Sequence, residues 1–191
     1  RLLSEGFITE REVDADGNDI VKGNVMLAPG HYRVLAYNFD TPGTFIRNEH
    51  QWESITAFTE EIPESKYRSM SGRAGDNEHI YYEPDHLFVA RDADLYIEAH
   101  SDIKVIEMEA NTIIDTYYVQ VRVKNLEYAA SATAVLSGLS STNAIGANTR
   151  HDDESTALYI EMHKSTDERI EDDNKDVLCG VFNTFGRIEG V

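Results

Sequence analysis

Tyr117-Tyr118-Val119-Gln120-Val121-Arg122-Val123-Lys124 alternates without a break. Tyr117, Val119, Val121 and Val123 fall on one side of an extended chain, and Tyr118, Gln120, Arg122 and Lys124 on the other. A period of two, with aromatic and β-branched residues on the apolar side, is the pattern of a strand in a sheet with one wet face. Leu158, Ile160 and Met162 against Tyr159, Glu161 and His163 repeat it, and residues 177–185 form a last apolar strand.

The same reading extends toward the N-terminus. Residues 7–13 lead into the turn Asp14-Ala15-Asp16-Gly17-Asn18, and residues 20–27 follow. Pro29 and Gly30 then predict a tight hairpin turn into residues 31–39, because Pro presets φ and Gly accepts φ > 0. Residues 80–82, 86–90, 95–100 and 103–108 read as four short strands with turns between them. Such spacing is the signature of a sandwich or barrel. Ser137-Gly138 and residues 140–148 read as turn and loop, and the polar stretch 67–79 as an exposed loop. Helix signals are scarce: only residues 54–64 and 166–175 could hold a helical turn or two.

The expected fold class is therefore all-β, with two tandem sandwiches. The boundary falls near residues 109–115, giving an N-terminal domain at 1–110 and a C-terminal one at 111–191. Each half is a plausible size for a small sandwich. A chain of 191 residues buries roughly two-thirds of its unfolded surface and needs no disulfide staple. With a single cysteine, Cys179, it can form none within the chain. The apolar run around Cys179 predicts a buried, inert thiol.

Seventeen basic against 35 acidic residues give a net charge of −18. That balance argues against nucleic acid or an anionic membrane surface as partner. No apolar stretch approaches the ~20 residues of a membrane helix. The chain begins at Arg1 rather than Met, so a signal peptide or lipid anchor is expected upstream, and the stop at Val191 suggests a piece of something longer.

Candidate chemistry is thin. Asp14-Ala15-Asp16-Gly17-Asn18-Asp19 opens like a calcium loop, but its sixth and twelfth positions hold Asp19 and Val25 where Gly and Glu are needed, so it reads as an Asx-rich turn. His79 and His86 around Glu83 and Asp85, and His151-Asp152-Asp153-Glu154, are polar clusters without zinc-site spacing. No phosphate loop or nucleophile elbow is present. No metal, cofactor or catalytic residue is expected, and the chain reads as a non-enzyme. Trp52, Tyr67, Tyr81 and Tyr82, in or near loops of the first half, are the candidate contacts for a sugar or a protein partner.

Four segments carry a resemblance. Leu27-Ala28-Pro29-Gly30-His31-Tyr32-Arg33-Val34-Leu35-Ala36-Tyr37-Asn38 resembles the "L-P-P-G-x-Y" segment of fimbrillin-like surface lipoproteins of Bacteroides-type anaerobes. Glu83-Pro84-Asp85-His86-Leu87-Phe88, Ser137-Gly138-Leu139 and Gly180-Val181-Phe182-Asn183-Thr184-Phe185-Gly186 resemble later segments of that family, in order. The resemblance implies transthyretin-like sandwiches of Greek-key type. It also implies export through a lipobox cysteine upstream of Arg1 and attachment at the outer membrane surface. The implied role is adhesion or pilus assembly as anchor, minor or tip subunit, with pilus subunits or host and bacterial surface ligands as partners. Family pilins assemble by strand exchange, and an early stop would leave residues 177–185 as an acceptor edge. The competing reading is a carbohydrate-binding module of a glycan-uptake system.

Overall fold

The computed structural model describes residues 2–67, 79–99, 103–150, 155–165 and 177–188. These form an all-β fold, as the alternation demands. The strands in chain order are β1 (Glu10–Val13), β2 (Asp19–Lys22), β3 (Gly30–Tyr37), β4 (Phe45–Arg47), β5 (Thr56–Phe58), β6 (Ile80–Tyr81) and β7 (Phe88–Ile97). They continue as β8 (Asn111–Thr112), β9 (Asp115–Arg122), β10 (Ala132–Leu139), β11 (Thr142–Ala144), β12 (Thr149–Arg150), β13 (Thr156–Lys164) and β14 (Val177–Thr184). One helical turn, α1 (Glu64–Tyr67), precedes β6.

β1 and β2 make a hairpin over the Asx-rich turn. There the Asp14 carboxylate accepts the backbone N–H groups of Asp16 and Asn18 and the Asn18 side-chain amide at 2.8–2.9 Å. Pro29-Gly30 does not make a second hairpin. β2 pairs with β1, whereas β3 pairs with β7 along its whole length, so residues 29–30 only bend the chain into β3. The strands expected separately at 86–90 and 95–100 are one strand, β7, whose pairing with β3 slips between Tyr32 and Val34. A bulge of this kind absorbs an extra residue without ending the strand. Residues 103–108 form no strand. Residues 54–64, which could hold a helical turn or two, contain β5 and reach α1 only at Glu64, and residues 166–175 lie outside the described residues. Ser137-Gly138 is a bulge inside β10 rather than a turn, with Gly138 at φ 81°, and β11 lies in the supposed loop 140–148.

A four-stranded sheet, β12-β11-β5-β4, and a three-stranded sheet, β3-β7-β8, enclose the first core. It comprises Ile55, Ala57, Leu87, Val89, Ile113, Ile114, Ile145 and Phe185, with Leu35, Tyr37 and Ile46 against it. The larger sheet runs β10-β13-β14-β9, with β6 added in parallel to β13. One of its faces carries the second core: Leu139, Leu158, Ile160, Met162, Leu178 and Phe182, capped by Leu126 from a short 3₁₀ turn. Burying these side chains is the main favourable term in the fold.

Strand pairing crosses the expected boundary in both directions. β11, from the second half, pairs with β5 of the first, and Ile145 donates its N–H to Ile55 O at 3.0 Å. β6, from the first half, pairs with β13 of the second. Arg91 of β7 ties the same seam, donating to Ile145 O at 2.5 Å and Asn148 Oδ1 at 3.2 Å. β14 is not an edge either, because it lies between β13 and β9; among the described residues the outer strands of this sheet are β9 and β10, and the end of β10 is covered by residues 186–188, which bridge to Leu139.

Candidate functional site

The four segments that carry the family resemblance hold the fold together. Asn38 clips β3 to the start of β7: its side chain accepts the Phe88 N–H at 2.7 Å and donates to His86 O at 3.0 Å. Asp85 accepts the Gly43 N–H at 2.6 Å and donates its own N–H to Thr44 Oγ1 at 2.7 Å. Phe182 and Phe185 are buried, one in each core.

The concavity of note lies on the other face of the large sheet, where β13 and β14 part. Their pairing runs only through His163↔Cys179 and Lys164↔Leu178. Continuing that register would place Glu161 opposite Val181 and Tyr159 opposite Asn183, yet no ladder pairing is made there. β6 takes the edge of β13 at Ala157 and Leu158. The chain after it supplies Glu83, whose carboxylate accepts the Asn183 N–H at 3.0 Å in place of a strand carbonyl. The result is a cleft of about 780 Å³.

Three tyrosines stand around it: Tyr82 after β6, Tyr118 on β9 and Tyr159 on β13. Tyr159 packs on the small buried cluster Ile62, Ile80 and Ala157, which fixes its ring. Tyr118 donates its hydroxyl to Cys179 Sγ at 3.1 Å and accepts from Gln120 Nε2 at 2.9 Å. The thiol, expected to be buried, is half-buried on the cleft wall. Lys66 of α1 donates to the Tyr82 hydroxyl at 3.1 Å and lies 5.8 Å from its ring centroid. Glu83, Glu161, His163, Lys164 and Ser165 add further polar groups to the lining.

Of Trp52, Tyr81 and Tyr82, singled out in the sequence, only Tyr82 lines this cleft. Tyr81, one residue earlier, packs against the second core on the opposite face of the sheet, as strand alternation requires. Trp52 is half-buried at the seam between the halves, with Arg33 5.8 Å from its ring centroid. Arg33 also donates to Glu53 at 2.5 Å, and that hydrogen bond is the main reason the Glu53 carboxyl is held below its usual range. Tyr67 ends α1. Trp52, Tyr81 and Tyr82 do not share a platform. Tyr118 and Tyr159 escaped notice because each reads as the outward position of an alternating strand. Only the register, which brings β13, β14 and β9 side by side, shows that they border one hollow.

The metal candidates are placed as follows. The Asp14 carboxylate is satisfied within its own turn, and its hydrogen bonds, chiefly from the Asn18 side chain, lower its pKa. His79 Nδ1 lies 2.7 Å from Glu61 Oε1. Asp85 is committed to Gly43. Residues 151–154 lie outside the described residues. Among the described residues no three His, Cys, Asp or Glu side chains converge on one point, and no helix is long and apolar enough to cross a membrane.

Fold and cleft define a class first: an all-β sandwich with an open aromatic cleft on one sheet. The chain belongs to the DUF5119 family, described as a domain of unknown function, whose profile matches residues 9–161. A Bacteroides ovatus protein named "Putative fimbrium anchoring subunit Fim4B" is 29% identical over 167 residues, covering 87% of this chain and 45% of that protein. A crystal structure at 3.00 Å resolution of "a putative adhesin from Bacteroides ovatus" superposes with a TM-score of 0.66 at 24% identity, over 92% of this chain and 54% of that one. The chain thus spans about half the length of both proteins. The resemblance to fimbrial surface proteins of Bacteroides holds.

Proposed function

We infer that this chain is a non-enzymatic surface protein that works in fimbrial attachment, as an anchoring, minor or tip subunit. One observation carries the reading. The alignment with a protein named as a fimbrium anchoring subunit runs through 87% of the chain, across both halves and both cores, rather than through one shared motif. The architecture suits the role. Among the described residues β9 offers an unpaired strand edge, and this edge with a net charge of −18 fits a module that meets other proteins without binding nucleic acid. Its partners are other pilus subunits or surface ligands. Its place is the cell surface, held at the outer membrane by a lipid anchor upstream of Arg1.

Deletion of the gene in the producing bacterium tests this. The expected result is loss of cell-bound fimbriae, seen by electron microscopy, with fimbriae shed into the medium for an anchor or shortened in number for a minor or tip subunit. Protease treatment of intact cells should remove the protein. Normal fimbriation and unchanged adhesion in the deletion strain would overturn the reading.

A further inference from the structure

We propose that the cleft between β13 and β14 binds an uncharged pyranose residue of a glycan. The inference goes beyond the fimbrial reading, which requires no sugar site.

The first argument is shape. The parting of the two strands is stopped at both ends. The pairs His163↔Cys179 and Lys164↔Leu178 close one end, and Glu83 on the Asn183 N–H closes the other. Between them only residues 160–162 and 180–182 run unpaired with one another. Three residues are too short a gap for an added strand, whose affinity comes from a run of main-chain hydrogen bonds. A compact ring fits where a strand cannot, and about 780 Å³ lies within the range of small-ligand clefts, about 300–1,000 Å³.

The second argument is chemistry. A pyranose has an apolar face of C–H groups and a rim of hydroxyls. Tyr118 is 55% exposed and Tyr82 38% exposed, so both offer ring surface from opposite walls. Their hydroxyls are already engaged, Tyr118 with Gln120 and Cys179, Tyr82 with Lys66, which holds the rings in place. Rings fixed before binding lose little entropy on contact. Glu161 and Glu83 supply carboxylate oxygens that accept paired sugar hydroxyls, and His163 supplies a ring nitrogen that donates or accepts with its tautomer.

The third argument is charge. Within the hollow Lys66 and Lys164 balance Glu83 and Glu161, Lys66 is already engaged with Tyr82, and the chain as a whole carries 35 acidic against 17 basic residues. That field disfavours sialylated or uronic-acid sugars and leaves neutral ones.

The test is a glycan array with the full chain, carrying neutral hexose- and N-acetylhexosamine-terminated oligosaccharides beside sialylated and uronic-acid ones, followed by titration calorimetry on the strongest neutral binder. Tyr118→Ala should weaken that binder by about three- to tenfold through lost stacking, and Glu161→Gln by a similar factor. Both positions are exposed, so both variants should fold. Tyr128→Ala, outside the cleft, should bind as the parent does. Absence of any neutral-sugar binding overturns the proposal, as does binding that survives both cleft substitutions, or a preference for acidic sugars. Each of those outcomes leaves the fimbrial reading standing, since gene deletion decides that separately.

Discussion

Gly146→Ala tests the seam that joins the two halves of the chain. Gly146 follows Ile145, whose side chain is in the first core. A Cβ at residue 146 would lie 2.1 Å from the backbone oxygen of Trp52 and 3.1 Å from Ile55 Cγ2. Close carbon–oxygen contacts in proteins sit at about 3.3 Å, so the gap must open by roughly 1 Å. The atom in the way is backbone, one turn before β5, and it cannot rotate aside as a side-chain tip would. Adding a methyl to a packed site costs about 1–3 kcal/mol, and a backbone obstacle places this change at about 3 kcal/mol. In a chain of 191 residues each kcal/mol moves Tm by about 2–4 °C, so Gly146→Ala should melt about 6–12 °C lower. Circular dichroism through the thermal transition measures it. Gly6→Ala is the control, with open space around its Cβ and no expected change. If Gly146→Ala melts within about 1 °C of the parent, the contact between the 145–146 corner and residues 52–55 is wrong, and with it the pairing of β11 on β5.

Two further predictions concern the large sheet and pH. Val121 on the edge strand β9 is 42% exposed, whereas Ile160 at the centre of the sheet is 5% exposed. A new carboxylate at Ile160 should cost about 4 kcal/mol or more and at Val121 about 1 kcal/mol, read from urea midpoints; equal costs would refute the placement of β9 at the edge. Tyr37 is pushed from the usual 10 up to about 12 by burial, with the hydrogen bond to Glu49 and the charges of Glu49 and Glu5 adding to it. The fold favours the neutral phenol, so its contribution is intact below pH 10 and is lost as pH rises toward about 12. Ultraviolet titration should show a late-ionising tyrosine that moves earlier in Glu49→Gln; no late phase would contradict the half-buried placement of Tyr37.

Much of this fold is legible in the residues. β9, β13 and β14 follow from alternation, and the β1–β2 hairpin from its Asx turn. β5 was hidden because Thr56-Ala57-Phe58 is too short for a period and sits among charged residues that suit helix. β10 was hidden by Ser137-Gly138, which punctuates like a turn but folds as a bulge. β11 and β12 are short pieces whose partner lies far back in the chain, and local pattern holds no information on such pairing. The cleft is illegible for the same reason: it exists because β13 and β14 part and β6 and Glu83 intervene, and residues 83 and 183 meet only in three dimensions.

The first core draws Ile145 and Phe185 from the far half, and its four-stranded sheet is complete only when β11 and β12 arrive. The chain emerging from a ribosome therefore carries most of its N-terminal half as an unfinished object. β5 lacks its neighbour until residue 144 is out, and the core lacks its phenylalanine until residue 185. Such a chain stays threadable until residue 185 is out. A polypeptide that must pass a narrow pore before it folds gains from that delay, and one cut short near residue 140 is left with an unsealed sheet that proteases and aggregation find first.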